Sequence, residues 1–329
     1  METSMSRKLF ALSLTATLMG GAAYAETPQV AVDIAPVHSL VARVMDGIGK
    51  PDLIIQPGAS PHEYSLRPSE ASALQAADLV FWIGPDLTPW LTDTIGTLAS
   101  DAVVTELMEA DGTIELEFRE GALFEAHDHD DHGDEDDHDD HGDDDDHDEA
   151  ESGHEGHDHG AHDPHAWLSP KNAMNWLNVI AGQLSAVDPD NAGAYFANAA
   201  AGRTEIKTLI GEVTATLDPV RGGQFIVFHD AYQYFEMDFD FPASGAISIS
   251  DASDPSPARI AKIQARIAEQ GIDCVLAEPQ FNPGLVATVL DGTDAQTGIL
   301  DPLGSDLELG PAFYPHLIRN LSNVLADCM

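Results

Sequence analysis

Basic residues are scarce in this chain: 14 Lys and Arg stand against 57 Asp and Glu, a formal charge of −43. A surface of that sign repels phosphate backbones and anionic headgroups, which excludes nucleic acid as a partner and welcomes cations. Cysteine is scarcer still, with Cys274 and Cys328 alone. Past the first 25 residues there is no run of about 20 apolar residues, so stable membrane insertion is not expected. Also missing is any H-E-x-x-H; His154-Glu155-Gly156-His157 has the wrong spacing for that helical zinc-hydrolase pair.

What is present begins with an export signal. Arg7-Lys8, the apolar stretch Leu9–Leu14 and the A-x-A triplet Ala23-Tyr24-Ala25 make residues 1–25 a signal peptide, removed in the mature chain. No cysteine lies near that site, which argues against a lipid anchor, so the expected location is the periplasm. In an exported protein an even cysteine count reads as one disulfide, Cys274 to Cys328; two free thiols serving a metal is the alternative.

Residues 125–163 hold 20 of the acids and neither Lys nor Arg; without them the balance is 14 − 37, or −23. The same stretch carries His127, His129, His132, His138, His141, His147, His154, His157, His159 and His162 among Asp, Glu and Gly. Such a composition cannot bury a core and should stay solvated, binding metal weakly, at several places and exchangeably. The bland alternative is an acidic spacer whose histidines do nothing specific. Order resumes at Asp163-Pro164-His165-Ala166-Trp167, where proline and a large apolar ring can hold one histidine in place.

Elsewhere short apolar runs alternate with helical periodicity, which argues for an α/β fold of parallel sheets with crossover helices. Two lobes are expected, 26–170 (with the His/Asp-rich loop 125–163 inside it) and 219–329, around a helical region 171–218. In that region one break, Asp188-Pro189-Asp190, precedes a helix long enough to cross between the lobes.

Ligands of open α/β sheets bind beyond the carboxyl ends of the strands. His62 follows the strand-like run at Leu53–Ile55, His229 follows Phe225–Phe228, Glu278 follows Cys274–Ala277 and Asp301 follows Gly298–Leu300. With His165, three imidazoles and the Asp301 carboxylate would make a tetrahedral zinc shell. The four lie 103, 64 and 72 residues apart, so only the fold can assemble them, in the cleft where the lobes meet. Taken singly, His62 and His229 read as hydrogen-bonded loop residues and Asp301 as a turn former before Pro302. His38 reads as a loop residue and His316 as surface or C-terminal packing.

Four motifs in order, Gly58-Ala59-Ser60-Pro61-His62-Glu63-Tyr64, Asp163-Pro164-His165-Ala166-Trp167-Leu168-Ser169-Pro170, Phe228-His229-Asp230-Ala231-Tyr232 and Leu300-Asp301-Pro302-Leu303-Gly304, resemble the zinc-specific periplasmic solute-binding proteins of ABC importers, the ZnuA type. The resemblance spans nearly all of the mature chain. It implies two βα lobes joined by a long rigid helix, Zn2+ held between them, and delivery to a membrane permease driven by a cytoplasmic ATPase. It also implies metal ligands at His62, His165 and His229, a C-lobe disulfide on Cys274 and Cys328, and a His/Asp-rich loop peculiar to zinc members. Manganese-type relatives carry Glu where His229 stands. One departure is Pro61, since some zinc members place Glu there as a fourth ligand; Asp301 or water must then fill that position, and Asp301 is the expectation. On this reading the chain is a monomeric binding protein and not an enzyme. The rivals are a zinc-dependent hydrolase, with Glu63 or Glu278 as base, a zinc-binding adhesin, or manganese as the ion.

Overall fold

The computed structural model describes residues 27–119, 124, 162–248 and 255–329. The signal peptide and the histidines His127 to His159 lie outside those residues.

Two parallel four-stranded sheets carry the fold. In the first, β1 (Val30–Val32) is flanked by β2 (Asp52–Leu53) and β3 (Leu79–Trp82), and β4 (Val103–Glu106) completes the order β2-β1-β3-β4. In the second, β5 (Phe225–His229), β6 (Ala246–Ser248), β7 (Cys274–Ala277) and β8 (Gln296–Ile299) run in the order β6-β5-β7-β8. Each sheet repeats one plan, a central pair with the chain crossing over outside it, and all its pairings are parallel.

Proline punctuates the crossovers. Helices α1 (Ala35–Val44), α2 (Pro68–Ala76), α3 (Pro89–Leu98), α4 (Pro170–Val187), α7 (Pro257–Gln270) and α8 (Pro283–Leu290) all carry it in the first turn, where its missing N–H leaves no bond unmade. Three of these starts have a side-chain cap: Ser169, Ser256 and Asn282 accept from the backbone N–H of Asn172, Arg259 and Gly284. Helix α7 stops at Gly271, whose φ of +66° suits a residue without Cβ.

Helix α5 (Ala192–Leu217) has 26 residues, which at about 1.5 Å each spans roughly 39 Å. It follows the break at Pro189–Asn191 and packs against α4 and α1 on one side and the C-terminal α9 (Phe313–Cys328) on the other. One hydrophobic core therefore runs through both halves, from Val32 and Phe81 through Trp176 and Leu209 to Phe225 and Leu321. The second sheet divides its side chains by strand alternation: Phe225, Val227, Cys274 and Leu276 enter that shared core, while Ile226, Phe228 and Val275 enter a separate one under α7 and α8. A core shared across the halves resists hinge bending, because opening would expose apolar surface at about 25 cal/mol per Å². Cys274 and Cys328 form a disulfide that pins α9 to β7. No helix among the described residues is long and apolar enough to cross a membrane.

Candidate metal centre

Three loops converge between the sheets. The loop after β2 turns at Gly58, whose φ of +82° favours glycine, and Trp90 Nε1 donates to Pro61 O at 2.8 Å to fix the residue before His62. His62 itself is half-buried. His165 opens a single 3-10 turn, Ala166–Leu168, whose three residues are buried, and Trp167 Nε1 donates to Pro302 O at 2.8 Å from the opposite lobe. His229 is the last residue of β5, and Ala231 N turns back to His229 O at 2.9 Å. His165 and His229 are 5% and 3% exposed, too dry for free imidazoles to be there without partners.

Those partners are carboxylates. His165 Nδ1 lies 2.7 Å from Asp163 Oδ1, and His229 Nδ1 lies 2.7 Å from Glu278 Oε1 on the loop after the neighbouring strand β7. A carboxylate accepts, so each Nδ1 carries the proton and each Nε2 presents a lone pair to the cleft. The two Nε2 atoms face each other at 3.4 Å. Two nitrogens bound to one tetrahedral zinc at about 2.05 Å would lie about 3.3 Å apart. The His165 and His229 ring centroids are 5.2 Å apart, and His62 stands wider, 5.9 Å from His165. Among the described residues, accordingly, no three His, Cys, Asp or Glu side chains form a finished ion cage. One pair is at coordinating separation, and the His62 centroid is 5.9 − 5.2, or 0.7 Å, farther from His165 than the His229 centroid is.

Burial pushes the Asp163 carboxyl up to about 7, opposed by the backbone N–H of His165 and the charges of Arg119 and His229. Burial likewise raises Glu278, against the opposing pull of His229. Two buried acids behind the imidazole pair favour a cation in the centre. Trp167, Tyr232 and Phe281 lie with ring centroids 5.2, 6.3 and 5.6 Å from the nearest histidine and wall the cleft with apolar surface.

Asp301 anchors a turn beside the cleft. Its Oδ1 accepts from Leu303 N and Gly304 N, both at 2.9 Å, and its Oδ2 accepts from Ser305 N and Ser305 Oγ, both at 2.6 Å. The side chain thus builds its own turn, the role its place before Pro302 allows, and its charge also acts on Tyr232. His162 pairs with Glu117 through a β-bridge at the root of the insert. His38 is a buried helical residue of α1 with Nε2 3.1 Å from Pro51 O, rather than a loop residue, and His316 is exposed on α9. The orienting roles of Asp163 and Glu278 were the part sequence reading left unassigned. Asp163 stands two residues before His165 and could have been read from that spacing; Glu278 needs the β5–β7 pairing.

Comparison with known proteins agrees with this layout. The family described as "Zinc-uptake complex component A periplasmic", ZnuA, matches residues 30–328. The chain is 48% identical over 323 residues to the high-affinity zinc uptake system protein ZnuA of Brucella abortus (strain 2308), covering 97% of each. The protein of the same name from Paracoccus denitrificans is 42% identical over 308 residues, covering 93% of each. A solved crystal structure of ZnuA superposes with a TM-score of 0.70 at 20% identity, over 92% of this chain and 99% of that one, which shows the shared fold. With one family matching almost from β1 to the end of α9, the chain belongs to the ZnuA family of periplasmic zinc-uptake components.

Proposed function

We propose that this protein captures Zn2+ in the periplasm and delivers it, as a monomer, to the membrane permease of an ABC importer, with His62, His165 and His229 as the metal ligands. The observation that carries the reading is the buried pair of Nε2 atoms facing each other at 3.4 Å, each fixed by a carboxylate on its far nitrogen. Two nitrogens so placed need either a shared proton or a cation between them. Imidazole donors favour zinc over manganese, which prefers oxygen. The names of the relatives point the same way, as zinc uptake proteins.

Water fits the fourth position better than Asp301, whose oxygens are taken up by its own turn. The hydrolase alternative lacks a base where one is needed: Glu278 Oε1 serves His229, its Oε2 accepts from Gln280 Nε2 at 3.2 Å, and Glu63 is exposed. Capture consists of exchanging the ion's waters for imidazoles, so affinity falls as acid protonates them. Calorimetric zinc titration of the mature chain tests the reading. One tight equivalent, lost in His229→Ala, is the expected result; equal affinity in the variant would overturn the assignment.

A further inference from the structure

The strands that enter and leave the acidic insert are bound to each other and to the C-terminal lobe. Asp163 N donates to Leu116 O at 2.8 Å, and Glu117 pairs with His162 in an antiparallel bridge. Helix α6 (Gln233–Phe239), the first helix after β5, receives this two-stranded root: Leu116 N donates to Tyr234 Oη at 3.0 Å, Tyr234 Oη donates to Asp163 O at 2.8 Å, and Gln233 Nε2 donates to Glu117 O at 3.0 Å.

Two residues past the bridge stands Arg119, and its guanidinium holds two buried acids at once. Nε and Nη2 donate to Asp230, with Nε 3.1 Å from both carboxylate oxygens; Nη1 and Nη2 donate to Glu236 at 2.7 and 2.9 Å. Phe124 covers its open face with the ring centroid 3.6 Å from Cζ. Asp230 and Glu236 expose only 7% and 6% of their side chains, and Arg119 is in direct contact with both as their counter-charge. Asp230 directly follows His229, and the segment bridged to Arg119's own carries Asp163, the acceptor of the His165 ring. The segments of two metal ligands, one in each lobe, are therefore joined through Arg119 on the cleft side, independently of α5.

We infer that Arg119 is a positioning residue for the metal: it latches the root of the insert to the C-terminal lobe, holds His165 and His229 at coordinating separation, and so slows zinc release. The inference rests on the three histidines being the ligands, as proposed above. Loss of an outer partner of a metal ligand weakens binding by about 10- to 100-fold, and one step farther out the lower end applies.

The test uses the full mature chain loaded with one equivalent of zinc, released into excess fluorescent chelator, comparing the wild type with Arg119→Ala, Arg119→Lys and Arg119→Ala/Asp230→Asn/Glu236→Gln. The triple variant removes the latch without leaving bare buried charge, which separates positioning from stability and covers the case in which Arg119→Ala fails to fold. The slow phase should quicken about 10-fold in both alanine variants and recover in part in Arg119→Lys. The Co2+-loaded triple variant should show altered d–d bands while its apo melting temperature stays near that of the wild type. Release from the triple variant at the wild-type rate with unchanged Co2+ bands would overturn the latch, leaving Arg119 a mere neutraliser of buried acids. His229→Ala in the same assay keeps the two readings apart: if it retains the slow phase, the ligand assignment fails and the latch with it; if it loses the slow phase, a negative triple variant counts against the latch alone.

Discussion

Replacing Glu278 by Gln should move zinc affinity and apoprotein stability in different directions. Oε1 of Glu278 accepts from both His229 Nδ1 at 2.7 Å and His229 N at 3.2 Å, and a glutamine oxygen can keep both bonds without the charge. A hydrogen bond to an ionised acceptor is worth about 1.5–3 kcal/mol against about 1 kcal/mol for a neutral one. The difference, about 0.5–2 kcal/mol, bears on the metal-bound state, where the imidazole proton is most acidic, so affinity should fall about 2- to 30-fold. Stability of the protein stripped of metal should hold or rise near neutral pH. Burial is the main cause that raises the Glu278 carboxyl, so its ionised form costs the folded chain something the amide does not. Competition against a fluorescent zinc chelator gives the first quantity and urea unfolding of the apoprotein the second. Affinity unchanged within about twofold, or a stability loss above about 2 kcal/mol, would refute the reasoning, since either would make Glu278 a purely structural acceptor.

Other outcomes follow from the same chemistry. Deleting residues 127–159 should remove the weaker metal equivalents and leave one tight zinc, counted by equilibrium dialysis. Opening the disulfide with Cys274→Ser/Cys328→Ser frees a loop of 54 residues and should cost about 4 kcal/mol in denaturant unfolding on the chain-entropy estimate. His38 gives a pH signature away from the metal. Burial lowers its pKa below 6.5, and its Nδ1 has no hydrogen-bond partner, so the unfolded chain takes up a proton that the folded chain refuses. The neutral side chain's contribution is therefore complete above pH 6.5 and is lost as pH falls below it, by up to about 1.4 kcal/mol per unit. His38→Gln should lose less stability than the wild type between pH 7.5 and 5.5, roughly the window just around that value, measured on the apoprotein.

Much of the fold was legible because the chain marks its own boundaries. Proline at the start and Gly271 at the end delimit α7, and the same signs with an apolar run give β7 and α8 at the bounds the structure shows. Where the marks mislead, so does the reading. The exposed edge strand β8 offers few apolar residues and starts two residues before the expected Gly298. Helix α6 begins only at Gln233, because the backbone after His229 first turns back on itself. Helix α9 was not anticipated as a helix at all: Pro315 stands in its first turn, where a missing N–H is harmless, while Leu317, Ile318, Leu321 and Leu325 keep a helical stripe buried behind it.

Within the cleft, His62 and His229 stood out because strand ends are where such folds put their ligands, and the structure brings both rings near His165. Their relation to each other is a tertiary fact. Glu278 reaches His229 across 49 residues and Arg119 reaches Asp230 across 111, through contacts with no local trace in the sequence. Asp301 shows the converse limit: a carboxylate after a strand suits a ligand and a turn equally on paper, and the four hydrogen bonds it accepts from its own turn have no signature in the sequence beyond Pro302.

Anomalous diffraction at the zinc edge, from crystals of the mature chain given one equivalent of Zn2+, asks the central question without intermediaries. The account predicts a single strong peak between the rings of His62, His165 and His229, about 2.0–2.1 Å from each coordinating nitrogen, with the His62 ring drawn inward. Peaks confined to the acidic insert, with no density where these rings meet, would contradict it.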